Sequence, residues 1–385
     1  MRNLSRKSLM SLCCLAPFVQ SASPLQAQQT PAAAPAAADS GLPELVGRLS
    51  QIGERLVRTN SPEMIAAYNL EQADVIAQIL PKSNPEDRPN WIRQLADCLF
   101  AAASAEPDKQ DSALSRLKRL QAGLDQSQPG SALTAYVTLQ TFEAEYLTAL
   151  NAQGADSEKV QVEWCQRLNQ FVQTYPGSDA TPRALHEMAL TSEALNKHEN
   201  ARRACQYLVE HFPADPLAIE AKRMLHWLDV DGKMLHLALP LLLTEDERFD
   251  SVFDVASLRG KLVIVYFWSS KTPNWRETFA ALKKTDALYH DRGVELLCVN
   301  MDETPKAARE QLRDADAPGV QVFQRKGVDG YIGQRLGLPE LPAVLLLGKD
   351  GRVIERVAGL GQLAVHVSKQ LESDPALLRV SNPSK

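Results

Sequence analysis

The chain has 385 residues, 44% of them apolar and 23% charged, and its 42 Lys and Arg against 47 Asp and Glu leave a formal net charge of −5. At about 100–200 residues per domain, that is enough for two or three domains with cores of their own. The acidic balance argues against binding through a dominant basic surface, so neither nucleic acid nor an anionic membrane surface is expected as a partner.

Arg2, Arg6 and Lys7 precede a short apolar stretch, Ser8 to Val19, and small residues follow at Ser21, Ala22, Ser23 and Ala27. This is the pattern of a secretory signal peptide over residues 1–27, which places the mature protein in the periplasm or outside a bacterial cell, where disulfides are allowed. Cys13 and Cys14 raise lipid attachment as an alternative; against it stands Leu12, where lipoprotein signals usually carry a small residue. Residues 28–41 are rich in Ala, Pro and Gln and read as a disordered linker. No apolar run reaches the ~18 residues a transmembrane helix needs, because Leu237 to Leu243 is short and broken by Pro240.

From 42 to 228 apolar residues recur at helical spacing: Trp91, Leu95, Cys98, Leu99 and Ala102, then Leu114, Leu117, Leu120 and Leu124, then Leu133, Tyr136, Val137, Leu147 and Leu150. Polar breaks at Pro81 to Pro89, Glu106 to Asp111 and Gln126 to Gly130 separate them, so the region is predicted all-helical. Its last part repeats. Phe171-Val-Gln-Thr-Tyr175-Pro176 is echoed by Leu208-Val-Glu-His-Phe212-Pro213, 37 residues on, with two helices between, one carrying Ala184, Leu185 and Met188 and the other Ala201, Ala204 and Leu208. A helical pair at this period, with aromatic-Pro at the junction, resembles tetratricopeptide-type repeats.

After residue 228 the period changes. Strands are predicted at Lys261 to Phe267, Val294 to Asn300 and Val320 to Phe323, with helices at Pro273 to His290, Pro305 to Asp314 and Gln362 to Leu371. Ala343 to Leu347 and Arg352 to Val357 read as a hairpin around Lys349-Asp350-Gly351. The expectation is an α/β domain over 229–373 with a mixed sheet covered on both faces, and a tail at 374–385. Proteolysis is expected between Leu228 and Phe253, where Asp229-Val-Asp231-Gly232-Lys233 marks a polar turn.

Gly260-Lys261, the apolar run ending in Phe267-Trp268, and Thr272-Pro273-Asn274-Trp275-Arg276 resemble the thioredoxin-like proteins of the TlpA and redoxin group. So do Val299-Asn300-Met301-Asp302-Glu303, Gly337-Leu338-Pro339-Glu340-Leu341-Pro342-Ala343 and the hairpin that follows, all in the family's order over about 140 residues. The resemblance implies a thioredoxin fold with a cis-proline at Pro342 facing the site. It also implies a Cys-Pro-x-Cys loop, and here Thr272 and Trp275 stand at the two cysteine positions while Pro273 and Arg276 match. A thiolate at a helix N-terminus attacks a disulfide; a threonine hydroxyl without an adjacent base does not, and the loop has no His, Asp or Glu. Locally, Thr272 is a good N-cap and Pro273 suits the first helical position. Trp275 is expected to plug the space near the loop.

Cys298, on a predicted central strand, reads as a buried apolar residue, and Cys98, Cys165 and Cys205 as buried thiols on helix faces. A Cys165–Cys205 bridge is the alternative, but their 40-residue separation misses the 37-residue repeat by about one turn. His226 and His236 flank a linker turn and are not read as a metal site. No phosphate-binding glycine loop or nucleophile elbow occurs, and no cofactor or metal is expected.

Two functions follow. The first is an exported binding protein without dithiol chemistry, which holds an envelope protein or peptide on a face of Trp268, Thr272, Pro273, Asn274, Trp275, Leu341 and Pro342, with the two tryptophans as an aromatic rim. The second, which the resemblance implies, is a thiol-disulfide oxidoreductase or peroxidase using a displaced cysteine. Cys298 is its only candidate inside the domain, and Glu295 stands where peroxidatic sites want Thr.

Overall fold

The structure is a computed structural model and describes residues 41–105, 111–242, 251–313, 315–338, 341–357 and 360–372. The signal, the tail and, but for Gly41, the linker expected from the sequence lie outside them.

Nine helices fill the described part of the N-terminal half: α1 Leu42–Val57, α2 Pro62–Ile79, α3 Arg88–Ala105, α4 Asp111–Ser127, α5 Ala132–Asn151, α6 Ser157–Thr174, α7 Thr181–Ala194, α8 His198–His211 and α9 Leu217–Leu228. Side-chain caps start several of them. Ser131 accepts the Thr134 N–H at 3.1 Å and Asp156 the Lys159 N–H at 3.2 Å, each satisfying a donor the helix cannot. The 37-residue echo is structural. α6 and α8 both end on the aromatic residue, Tyr175 at φ −126°, ψ 54° and Phe212 at φ −128°, ψ 50°. The next turn also matches, with Thr181 N–H on Ser178 O and Ala218 N–H on Asp215 O, both at 3.0 Å.

The C-terminal half is built on a five-stranded sheet in the order β5-β4-β3-β6-β7, where β3 is Leu262–Trp268, β4 Val294–Asn300, β5 Val320–Phe323, β6 Ala343–Leu347 and β7 Val353–Arg356. β3 runs parallel to β4, and β4 to β5, while β6 is antiparallel to both β3 and β7, so the sheet is mixed as expected. All seven residues of β3 are buried, which is why it reads as an unbroken apolar run. Its alternate residues sort onto two faces. Leu262, Ile264, Tyr266 and Trp268 face α10 (Trp275–Tyr289), α11 (Pro305–Leu312) and α13 (Leu360–Glu372). Val263, Val265 and Phe267 face the other way.

That second face is covered by parts of the chain the sequence did not suggest. A strap, residues 230–242, crosses it from one sheet edge to the other. The Gly232 N–H donates to Val353 O at 2.8 Å near β7, and the Leu242 N–H donates to Gln321 O at 2.9 Å beside β5. Within the strap β1 (Ala238–Pro240) pairs with β2 (Val252–Asp254), and a short helix, α12 (Tyr331–Leu336), completes the layer. None of these three elements was predicted. The expected polar turn at 229–233 forms, with Lys233 N–H on Val230 O at 3.0 Å, and it is tied to β7, with Val353 N–H donating to Lys233 O at 2.9 Å.

The last helix of the array belongs to this layer too, because Trp227 packs with Val263, Leu336 and Leu345 in the sheet's core. Arg356, on β7 and 3% exposed at its side chain, donates to Asp231 at 3.1–3.2 Å and to Glu193 of α7 at 2.5 Å. α9 lies so close to Gly337 (φ +69°) that a Cβ there would fall 2.1 Å from the carbonyl oxygen of Arg223.

Candidate functional site

β3 and β4 are parallel and in register at Trp268 and Asn300, so the loops that leave them, from Ser269 and Met301, emerge side by side. β6 begins at Ala343 opposite Phe267, which brings the cis Leu341–Pro342 peptide to the same end of the sheet. The crevice at the carboxyl ends of parallel strands is where α/β folds place their sites.

The 269–274 loop is held by one carboxylate. Asp302, 4% exposed, accepts from the Ser269 hydroxyl at 2.5 Å, the Ser270 N–H at 2.9 Å and the Ser270 hydroxyl at 3.1 Å, all on Oδ1. Its Oδ2 accepts from Asn300 Nδ2 at 3.1 Å, and its own N–H donates to Asn300 Oδ1 at 3.0 Å. A buried carboxylate must be bonded in this way to be tolerated. The sequence marked Asp302 only as an acidic exit from β4; its role needs the register of β3 on β4.

Thr272 does not cap the helix. Its N–H donates to Ser269 O at 3.0 Å and its hydroxyl accepts the Ser269 N–H at 3.2 Å, closing a turn on both sides. The hydroxyl is thus occupied locally, and α10 starts three residues later. Its N-cap is Asn274, at φ 57° and ψ 27°, with no side-chain cap bond. Asn tolerates this left-handed conformation better than most residues. Pro273 accordingly precedes the helix instead of opening it.

The expected aromatic rim is not on the surface. Trp268 is fully buried and Trp275 is 5% exposed. Their ring centroids are 5.2 Å apart, and Phe279 meets each edge-on, at 4.7 Å from Trp268 and 5.2 Å from Trp275. Trp268 faces inward because β3 alternation sends it to the α10 face. Its Nε1 has no hydrogen-bond partner among the described residues. Trp275 fills the space beside the loop, as expected, with the Arg276 guanidinium 4.2 Å over its ring. What the loop end exposes is Lys271, Pro273, Asn274 and Pro342, with Leu341 half-buried. Lys271 pairs with Glu303 at 3.0 Å, which raises its pKa.

Cys298 is fully buried, donates to Pro318 O at 3.4 Å, and burial pushes its thiol up to about 12. Cys98, Cys165, Cys205 and Cys298 are all free. Cys98 and Cys205 are buried and pushed up to about 12 by desolvation, whereas Cys165 is half-buried, its Sγ 3.8 Å from the Ser192 hydroxyl. No cluster of three or more metal-ligating side chains occurs among the described residues, and no helix of theirs is long and apolar enough to cross a membrane.

Residues 260–353 match a family model described as thioredoxin-like. Among curated proteins, the thiol-disulfide oxidoreductase ResA of Bacillus thuringiensis subsp. konkukian is 27% identical over 106 residues, which are 28% of this chain and 60% of that protein. ResA of Halalkalibacterium halodurans is 25% identical over 114 residues, 29% of this chain and 61% of its own. The chain thus spans about three fifths of the length of the curated relatives it matches. Among solved structures, the thioredoxin domain of a thiol-disulfide oxidoreductase from Bacteroides vulgatus aligns at 19% identity with a TM-score of 0.32, covering 37% of this chain and 97% of that one. A thiol-disulfide oxidoreductase from Bacteroides fragilis aligns at 21% identity and a TM-score of 0.29, over 36% and 99%. With the mixed sheet order and the family match over β3, β4, β5, β6 and the start of β7, the C-terminal part of the chain is a thioredoxin-like domain.

Proposed function

We propose that this chain is an exported thioredoxin-fold protein that binds a protein or peptide of the cell envelope and performs no dithiol chemistry at its 269–275 loop. The observation that carries the reading is Trp275: where the family's second cysteine would stand, there is an indole packed into the core with Trp268 and Phe279. Thr272 stands for the first, with its hydroxyl committed to the turn. The exposed residues Pro273, Asn274 and Pro342 are the proposed contact face, with Leu341 beside them. The helical half, with its matched ends at Tyr175 and Phe212, is proposed as a tetratricopeptide-like array over 42–228 that extends this binding role, and export rests on the pattern of residues 1–27.

The similarity to thiol-disulfide oxidoreductases favours a second reading, redox chemistry through Cys298. Its complete burial and raised pKa weigh against it, since the thiolate is the nucleophile. A reductase assay with dithiothreitol and a disulfide substrate separates the two. The wild type is expected to show no activity above a heat-denatured control; activity abolished by Cys298→Ala would establish the second reading. Thr272→Cys with Trp275→Cys restores the family spacing and is expected to close an internal disulfide under oxidised glutathione and gain reductase activity. A folded double variant that cannot close it would mean that the loop has left the family geometry. Intact mass of envelope-fraction protein tests export: a chain retaining Arg2 to Val19 overturns it.

A further inference from the structure

At the junction of the two halves, the strap, α9 and α12 enclose a cleft of about 200 Å³. Its floor is apolar, with Val230 and Leu237 from the strap facing Ile332 and Leu336 of α12. Its rim is basic or donor-bearing: His226 at the end of α9, Lys233 and His236 on the strap, and Arg335 on α12. The carboxylate on its wall, Asp229, is already taken by the Arg202 guanidinium at 2.5 Å.

Among the described residues, no carboxylate is bonded to any of these rim groups. Some exposed lysines sit on carboxylates, as Lys118 does on Glu145, Lys261 on Glu295 and Lys271 on Glu303, whereas Lys222, Lys284 and Lys326 do not among the described residues, so what marks Lys233 is its place on the lip of an apolar concavity. The side chains of Lys233, His226 and His236 have no hydrogen-bond or ionic partner among the described residues. Arg335 reaches only the Tyr331 hydroxyl, at 3.3 Å, and the face of its ring. In a chain of net charge −5, a concave apolar surface whose rim carries a lysine and an arginine without carboxylate partners is complementary to an anion carrying a small apolar body.

We propose that this cleft binds a small aliphatic carboxylate, with the carboxylate between Lys233 and Arg335 and the hydrocarbon against Val230, Leu237, Ile332 and Leu336. The volume suits about one leucine-sized body. Charge-assisted bonds from an ammonium and a guanidinium fix one end, and burial of a few methylenes adds affinity at the other. No wall of the cleft belongs to the 269–275 loop, so the proposal does not rest on the reading of that loop.

Titration calorimetry on the full chain tests it, with 4-methylpentanoate as probe. Saturable binding at one site per chain is expected, at least tenfold weaker for the neutral 4-methylpentanamide and at least tenfold weaker for acetate, which lacks the hydrocarbon. Lys233→Gln and Arg335→Gln, both at exposed side chains, should each weaken 4-methylpentanoate about tenfold with an unchanged thermal unfolding midpoint. Equal binding of the acid and its amide, binding undiminished in both variants, or no saturable binding at all would overturn the proposal.

Discussion

In the helical half the chain ends α6 and α8 in the same conformation, at Tyr175 and Phe212, and each helix from α6 to α9 packs mainly on its sequence neighbours. In the sheet half everything is referred to β3, which has a strand on each side and a covered face above and below, and to Asp302 at its end. A distributed structure spreads the consequence of a lost side chain, whereas a centred one fails at its centre. The helical half also tolerates ionisable groups in its packing. Glu143 is buried on α5 against Arg183, and desolvation pushes its carboxyl up to about 7, while Glu187 and Asp97 are raised in the same way.

The largest effect is expected at the centre. Trp275→Ala should cost about 3–5 kcal/mol by urea unfolding, because it empties the contact among Trp268, Trp275 and Phe279. A loss below about 1 kcal/mol would show that the loop, not the indole, fills that space.

The acidic group in the helical half sharpens the contrast by pH. With the Glu143 carboxyl raised in the fold, the native state holds a proton that the unfolded chain has released between about pH 4.5 and 7. Stability from this group is therefore complete below that window and lost as pH rises through it, by on the order of 3 kcal/mol. Glu143→Gln should flatten that slope in denaturant unfolding measured at several pH values; an unchanged slope would assign it to other groups.

Asp302→Ala comes next, at about 1–3 kcal/mol, since it strands the Ser269 hydroxyl and the Asn300 amide in a buried place. Faster amide exchange at Ser270 and Lys271, with β4 still protected, would show that the carboxylate holds the loop and not the sheet.

The smallest change in stability is expected from Arg356→Met, about 1 kcal/mol, because the thioether keeps the apolar contact near Trp227, Asp231 is already 42% exposed at its side chain, and Glu193 keeps its bond to His198 at 2.9 Å. Its value lies in cooperativity. Heat capacity scans should split into two transitions if this ion cluster couples the halves, and remain single if Trp227 alone does so.

The strands, most helices and the mixed sheet were legible because their signals are local: an unbroken apolar run for β3, a 3.6 period for α5, a turn sequence between β6 and β7. The loop's position was legible too, through Phe267-Trp268 before it and Pro342 after. What escaped was set by contacts distant in sequence. Thr272-Pro273 is by itself a good helix start, yet Asp302 fixes Ser269 and Ser270, the turn closes on Thr272, and the helix must begin past Asn274. Trp268 looks like a rim residue until strand alternation points it inward. The strap was hidden because its strand is three residues long and its partners are a sheet edge and a helix from the other half.

Gly337 carries a consequence for how such a chain can be assembled. With Arg223 O only 2.1 Å from where a Cβ would sit, a thioredoxin-like domain bearing any side chain at this position could not be fused behind this helical array without pushing α9 away. The two halves are in this sense not interchangeable modules. Swapping in a related domain would have to bring its own glycine at this position.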